Sequence, residues 1–121
     1  MENGRMNWVF ADGDLPPKDG GALEAHEALM VVNLNKELAN FELRILFEDR
    51  EPVVNLHYTI KGMRVNCIRM DQPLGECGFM MPFGQYALHV VSDIPVIAVF
   101  GRLDVRQPNL AYYPVQGYSF N

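Results

Sequence analysis

Near its end the chain reads "FGRLDVRQPN" (residues 100–109), which sets Arg102, Asp104 and Arg106 at every second position, directly after its most apolar stretch. Residues two apart on an extended strand share a face, so two guanidinium groups would flank one carboxylate. Such a row can tie a strand to its neighbour as an ion-pair ladder. It can also present forked donors to a carboxylate, a phosphate or vicinal hydroxyls. By spacing alone the ladder is the better reading, because charged strand faces mostly serve solvation or pairing.

A second polar pair, His26 and Glu27, opens the run "HEALMVVN", which ends at Asn33. Neighbours on an extended chain point to opposite faces, so the pair makes a poor bidentate metal site. The second histidine that a zincin helix carries four residues on is absent. His57 and His89 stand singly in strand-like runs, and no metal or other cofactor is expected. Ser92 and Ser119 have no G-x-S-x-G setting, and "DGDLPPKDGG" lacks the spacing and following helix of a phosphate loop. Nothing in the sequence pairs two carboxylates, so a binding domain is expected rather than an enzyme. Trp8, with Tyr112, Tyr113 and Tyr118, offers an aromatic wall of the kind sugar rings stack on. In a small β-domain such residues more often anchor the core or an interface.

The elements that would hold these residues are strands. In "FELRILF", Phe41, Leu43, Ile45 and Phe47 share one face while Glu42 and Arg44 take the other. "NLHYTIK" alternates in the same way, and Lys61-Gly62 offers a turn into "MRVNCIRM", which predicts a hairpin. "EALMVVN" and "YALHVVS" are short apolar runs. "PVIAVF" is apolar on both faces, as a central strand would be, and starts at Pro95 after the turn cluster "SDIP". The one helical candidate, Leu34 to Asn40, is short and sits where a hairpin loop would fit. Short strands with Gly, Pro and Asn punctuation predict an all-β sandwich or barrel.

The 121 residues suffice for one domain, taken as 1–121. No apolar run approaches the ~20 residues that span a bilayer, and "MENGRMNWVFADG" lacks the apolar region of a secretory signal. A cytoplasmic location without membrane insertion is expected, with Cys67 and Cys77 as reduced thiols. A net charge of −5 provides no overall field for nucleic acid, so none is expected as a partner. "GFMMPFGQY" (Gly78 to Tyr86) gathers two methionines and three aromatics with no charge among them. That composition predicts a subunit contact and hence a homo-oligomer.

Taken in order, several motifs resemble the Anabaena sensory rhodopsin transducer family from about residue 8 to 113. They are "W-x-x-A-x-G-x-x-P-P" at Trp8, Ala11, Gly13, Pro16 and Pro17, "HE" at His26-Glu27, Asn33, and "EP" at Glu51-Pro52. "S-D-x-P-V" from Ser92 to Val96 and "R-L-D-x-R-Q" from Arg102 to Gln107 complete the set. The resemblance implies a single-domain antiparallel β-sandwich that assembles as a tetramer. It also shifts the charged row towards a shared site, with pairing between subunits as the rival reading. Arg102 and Arg106 would grip anionic or hydroxyl oxygens, Asp104 would orient them, Gln107 would belong to the same ligand-binding set, His26, Glu27 and Asn33 would add polar contacts, and Trp8 would supply an apolar or stacking wall. The expected function is a non-enzymatic, small-molecule-binding sensory domain, for a sugar or sugar acid. The alternative is a signalling adaptor that docks to a membrane receptor or other protein through the C-terminal aromatics. A third reading is a sugar-processing enzyme with His26 or Glu27 as general base.

Overall fold

The computed structural model describes residues 3–17, 25–104 and 111–121, with Asp104 and Ala111 by backbone alone. Among these residues run eight strands: β1 (Arg5–Leu15), β2 (His26–Asn33), β3 (Ala39–Leu46), β4 (Val53–Ile60), β5 (Arg64–Arg69), β6 (Gly84–Asp104), β7 (Ala111–Val115) and β8 (Tyr118–Phe120). Every pairing among them is antiparallel. The all-β expectation is met.

The long strand β6 organises the rest. Its first part lies between β1 and β3, with β8 and β4 beyond them. Its last part lies between β2 and β7, with β5 beyond β2. A straight strand would hold Tyr86 and Phe100 about 45 Å apart, yet their rings meet edge-on with centroids 6.3 Å apart. Strand β6 therefore folds back on itself and brings the inner faces of both strand sets onto one core. Pairing with β3 stops at Ser92 and pairing with β2 starts at Ile97. The "SDIP" segment is thus a bend within one strand and not a turn between two. Pro95 fits there because it has no N–H to lose from a ladder.

Alternation holds through the bend. Tyr86, Leu88, Val90, Val96, Ala98 and Phe100 are all buried, while Val99 on the opposite face is 45% exposed. "PVIAVF" is therefore buried on one face only. Phe41, Leu43 and Ile45 on β3 and Leu56 and Ile60 on β4 complete the core as their period predicts.

The expected hairpin over "NLHYTIKGMRVNCIRM" does not form. Strand β4 pairs with β3, whereas β5 pairs with β2. Residues 61–63 instead carry the chain from one strand set to the other, with Met63 at a positive φ of 58°. Residues 34–38 make the same crossing between β2 and β3, forming neither a helix nor a hairpin loop. Both crossings and the β6 bend are joined by two buried asparagines. Asn33 Nδ2 donates to the carbonyls of Glu37 (2.8 Å) and Ile60 (3.0 Å), and its Oδ1 accepts from the N–H and Nδ2 of Asn35, both at 2.9 Å. Asn35 Nδ2 also donates to the Pro95 carbonyl at 2.7 Å. Gly62 allows the close approach, since a Cβ there would lie 2.2 Å from the Lys36 carbonyl oxygen.

On the outer face of β6, His89 Nε2 lies 2.9 Å from Asn7 Oδ1, and its ring packs 6.0 Å from that of Phe120. Burial and the nearby Arg44 charge push its pKa below 6.5, against a smaller opposing pull from Glu42. The folded chain thus holds this proton less tightly than the unfolded chain. The stability contributed is complete above the unfolded value of 6.5 and is lost as pH falls through the lowered folded value. Urea unfolding followed from neutral to mildly acidic pH should show this decline. His89→Gln, which keeps an N–H for Asn7, should flatten it.

Candidate functional site

The inward row of β2 consists of Glu27, Leu29, Val31 and Asn33, all 0% exposed. An apolar pair is thus bracketed by two polar residues about 20 Å apart along the strand. Asn33 serves the crossing end. Glu27 serves the other.

Glu27 stands opposite Arg102 in the β2–β6 ladder. Arg102 occupies the next inward position after Phe100, so its guanidinium enters the core edge and must meet an anion there. Its Nε donates to Glu27 Oε2 at 2.7 Å. Nη1 donates to the Tyr113 hydroxyl at 3.2 Å, and Nη2 to the Asp12 carbonyl at 2.8 Å, with Asp12 Oδ1 at 3.6 Å. Glu27 Oε1 accepts from the Tyr86 hydroxyl at 2.6 Å, and both carboxylate oxygens take the Asp14 N–H, at 3.0 and 3.1 Å. The charged pair is buried and amply hydrogen-bonded.

Strand β1 is shaped for this arrangement. Its register slips between Phe10 and Gly13, so the inward phase passes from Phe10 to Gly13 and Leu15, all buried. Such a bulge re-aims the backbone: here the Asp12 carbonyl reaches Arg102 and the Asp14 N–H reaches Glu27. Gly13 leaves room for Tyr86, whose ring atoms would lie 2.6 Å from a Cβ at that position.

Burial raises the Tyr86 pKa, and the Glu27 charge and hydrogen bond raise it further, so the phenol stays protonated and donates. For Arg102, burial pulls the pKa down, but the bonds to Tyr113 and Glu27 outweigh it and the guanidinium stays charged. A carboxylate so enclosed is a fixed counter-charge. As a general base it would first have to surrender its donors.

Of the residues singled out from sequence, the structure brings Glu27 and Arg102 together. His26 precedes Glu27 on β2, opposite Leu103, with its side chain on the other face by alternation. Asn33 belongs to the crossing end. Trp8 lies five residues from Gly13 along β1, where its Nε1 donates to the Val96 carbonyl at 2.9 Å and its ring stacks on Phe10. Asp104 pairs with Ala111 in the backbone ladder, whereas Arg106 and Gln107 lie outside the described residues. Tyr113 was named only as part of an aromatic wall, and Asp12 and Tyr86 were not singled out as site residues. Their signals were the glycine within "ADGD" and the inward phase of Tyr86 in "YALHVV".

Cys67 and Cys77 are free and exposed, not packed in the core. Among the described residues no group of three His, Cys, Asp or Glu side chains is placed to hold a metal ion, and no helix is long and apolar enough to cross a membrane.

No curated protein matches the chain. Among solved structures, "Crystal Structure of Thermotoga maritima 1070" is 31% identical with a TM-score of 0.82, covering 98% of this chain and 97% of that one. A second, titled "Anabaena sensory rhodopsin transducer", is 28% identical with a TM-score of 0.75, covering 88% of this chain and 94% of that one. The family model "Anabaena sensory rhodopsin transducer" matches residues 3–119, almost the whole of the sequence in which the bulged β1, Glu27 and Arg102 are set. The chain belongs to the Anabaena sensory rhodopsin transducer family.

Proposed function

We propose that this is a non-enzymatic cytoplasmic sensory domain that binds a small polar ligand, a sugar or sugar acid, at the outer edge of the Glu27–Arg102 pair. The observation that carries the reading is the posture of Arg102. Its side chain is 14% exposed and anchored through Nε to a fully buried carboxylate, beside an Asp12 side chain that is 67% exposed. Among the described residues it uses three of its five N–H groups. A guanidinium held this way is pre-oriented for ligand oxygens. Asp104, Arg106 and Gln107 follow in the same segment and complete the proposed site, with His26 at its margin.

Thermal-shift measurements against sugars, sugar acids and phosphates test it. A ligand at about 100 times its dissociation constant adds about 2.7 kcal/mol, a shift of several degrees. Arg102→Lys should retain the fold and lose that shift, because lysine has no fork. Absence of a shift with every class at millimolar concentration would overturn the reading.

Family membership favours a second reading, a transducer that passes a signal to a protein partner. Tyr112, Tyr118 and Phe120 on β7 and β8 are 61%, 69% and 39% exposed and supply an aromatic surface for it. We also infer a two-layer sandwich that assembles as a tetramer. In "GFMMPFGQY", Met81 and Tyr86 are buried, but Met80 and Phe83 are 58% and 61% exposed, an apolar surface suited to a subunit contact. Sedimentation at micromolar concentration should give a mass well above the 13.7 kDa of one chain. A monomer there would overturn the assembly.

A further inference from the structure

The two outer faces of the strand sets differ in chemistry. On the set that includes β3 and β4, outward positions hold Asn40, Glu42, His57 and Thr59, the polar pattern that water selects. On the set β5–β2–β6–β7 the outward positions are apolar. The ladder registers bring Val65, Val32 and Ile97 side by side in one row, and Cys67, Met30 and Val99 in the next. Further along, Tyr112 of β7 crosses over Gly101, where an added Cβ would lie 2.8 Å from its hydroxyl oxygen. None of these side chains carries a charge. Arg69 stands at the margin, held to Asp71 by two hydrogen bonds of 2.9 and 2.6 Å.

This face is open in the single chain. Val65 is 62% exposed, and Cys67, Val99 and Tyr112 are exposed as well. Exposure of this kind over four strands leaves about 600 Å² of apolar surface, the upper end for a monomer. Charge narrows what can cover it. Each copy of the chain carries a net charge of −5, so two copies meet at least cost where neither presents a carboxylate. A second copy supplies a matching surface, the same face turned through a two-fold axis. Two such faces would bury about 1,200 Å² in total, where specific interfaces begin, and their side-chain rows would interdigitate as stacked sheets do.

We propose that the outer face of β5, β2, the last part of β6 and β7 is a subunit interface, closed by the same face of a second copy of this chain. The proposal rests on the assembly inferred above and assigns one of its contacts to this sheet, apart from the "GFMMPFGQY" segment. Cys67 falls within the contact. Cys77 lies in the loop after β5, beside Tyr58 of β4 and outside the face.

The test combines sedimentation at micromolar concentration with N-ethylmaleimide labelling, read cysteine by cysteine by mass spectrometry. In the parent, Cys67 should react about tenfold or more slowly than Cys77, although both are exposed in the single chain. Val99→Asp and Val65→Lys, both at exposed positions, place a charge in the contact. Each should keep a cooperative thermal transition and lower the sedimented mass. In Val99→Asp the labelling of Cys67 should speed up towards that of Cys77, even though a nearby carboxylate by itself slows a thiol. Should one variant fail to fold, the other and the labelling contrast in the parent still decide. A monomeric parent would overturn the assembly and this face with it. An oligomeric parent whose mass survives both substitutions, or whose Cys67 reacts as fast as Cys77, would overturn this face alone.

Discussion

Arg102→Met should destabilise the fold by about 3–5 kcal/mol, the range for removing one partner of a buried ion pair. The loss arises because Glu27, 0% exposed, would lose its cation partner and keep, among the described residues, the Tyr86 hydroxyl and the Asp14 N–H as donors. Glu27→Met should cost a similar amount by stranding Arg102 at the core edge. The double variant should recover much of the loss, since two apolar side chains of similar size need no counter-charge. Urea unfolding of the four proteins gives the coupling directly. Single variants within about 1 kcal/mol of the parent would show that the pair behaves as an exposed salt bridge.

Asn33→Ala should cost about 3 kcal/mol or more, through a different mechanism. It leaves the carbonyls of Glu37 and Ile60 without their donor and two donors of Asn35 without their acceptor. These groups belong to the places where the chain passes between strand sets, so the loss should loosen all of them together. Asn33→Asp should be worse, because a carboxylate would then face backbone carbonyl oxygens. Thermal unfolding should show a fall in melting temperature of about 10 °C or more for the alanine variant. A shift of a degree or two would mean that water replaces the asparagine.

Local pattern was enough to place β2 to β5 and both halves of β6, because side-chain alternation is a property of the strand itself. Phe41, Leu43, Ile45, Leu56 and Ile60 are buried where their period of two puts them. The same period put Arg102 in line with Ala98 and Phe100, and so at the core edge. Partners are another matter, because pairing register depends on residues distant in the chain. The carboxylate that Arg102 needs is 75 residues away at Glu27, and the carbonyl it bonds belongs to Asp12, 90 residues away. Nothing in "RLDVR" points to either.

The 55–70 region misled for the same reason. Lys61-Gly62 is a credible hairpin turn, yet both flanking strands find better-matched neighbours elsewhere, and the turn becomes a crossing held by Asn33. "SDIP" has the composition of a loop, but ladders on both sides keep β6 continuous through it. The sequence by itself determined that most of these segments are strands and, for β3 and β4, which face turns inward, because local sterics and solvent decide both. Only the tertiary structure decided that Glu27 and Asn33, ends of one inward row, are clamps at opposite edges of the core. A buried polar side chain takes its role from the partners that the fold brings within hydrogen-bond distance.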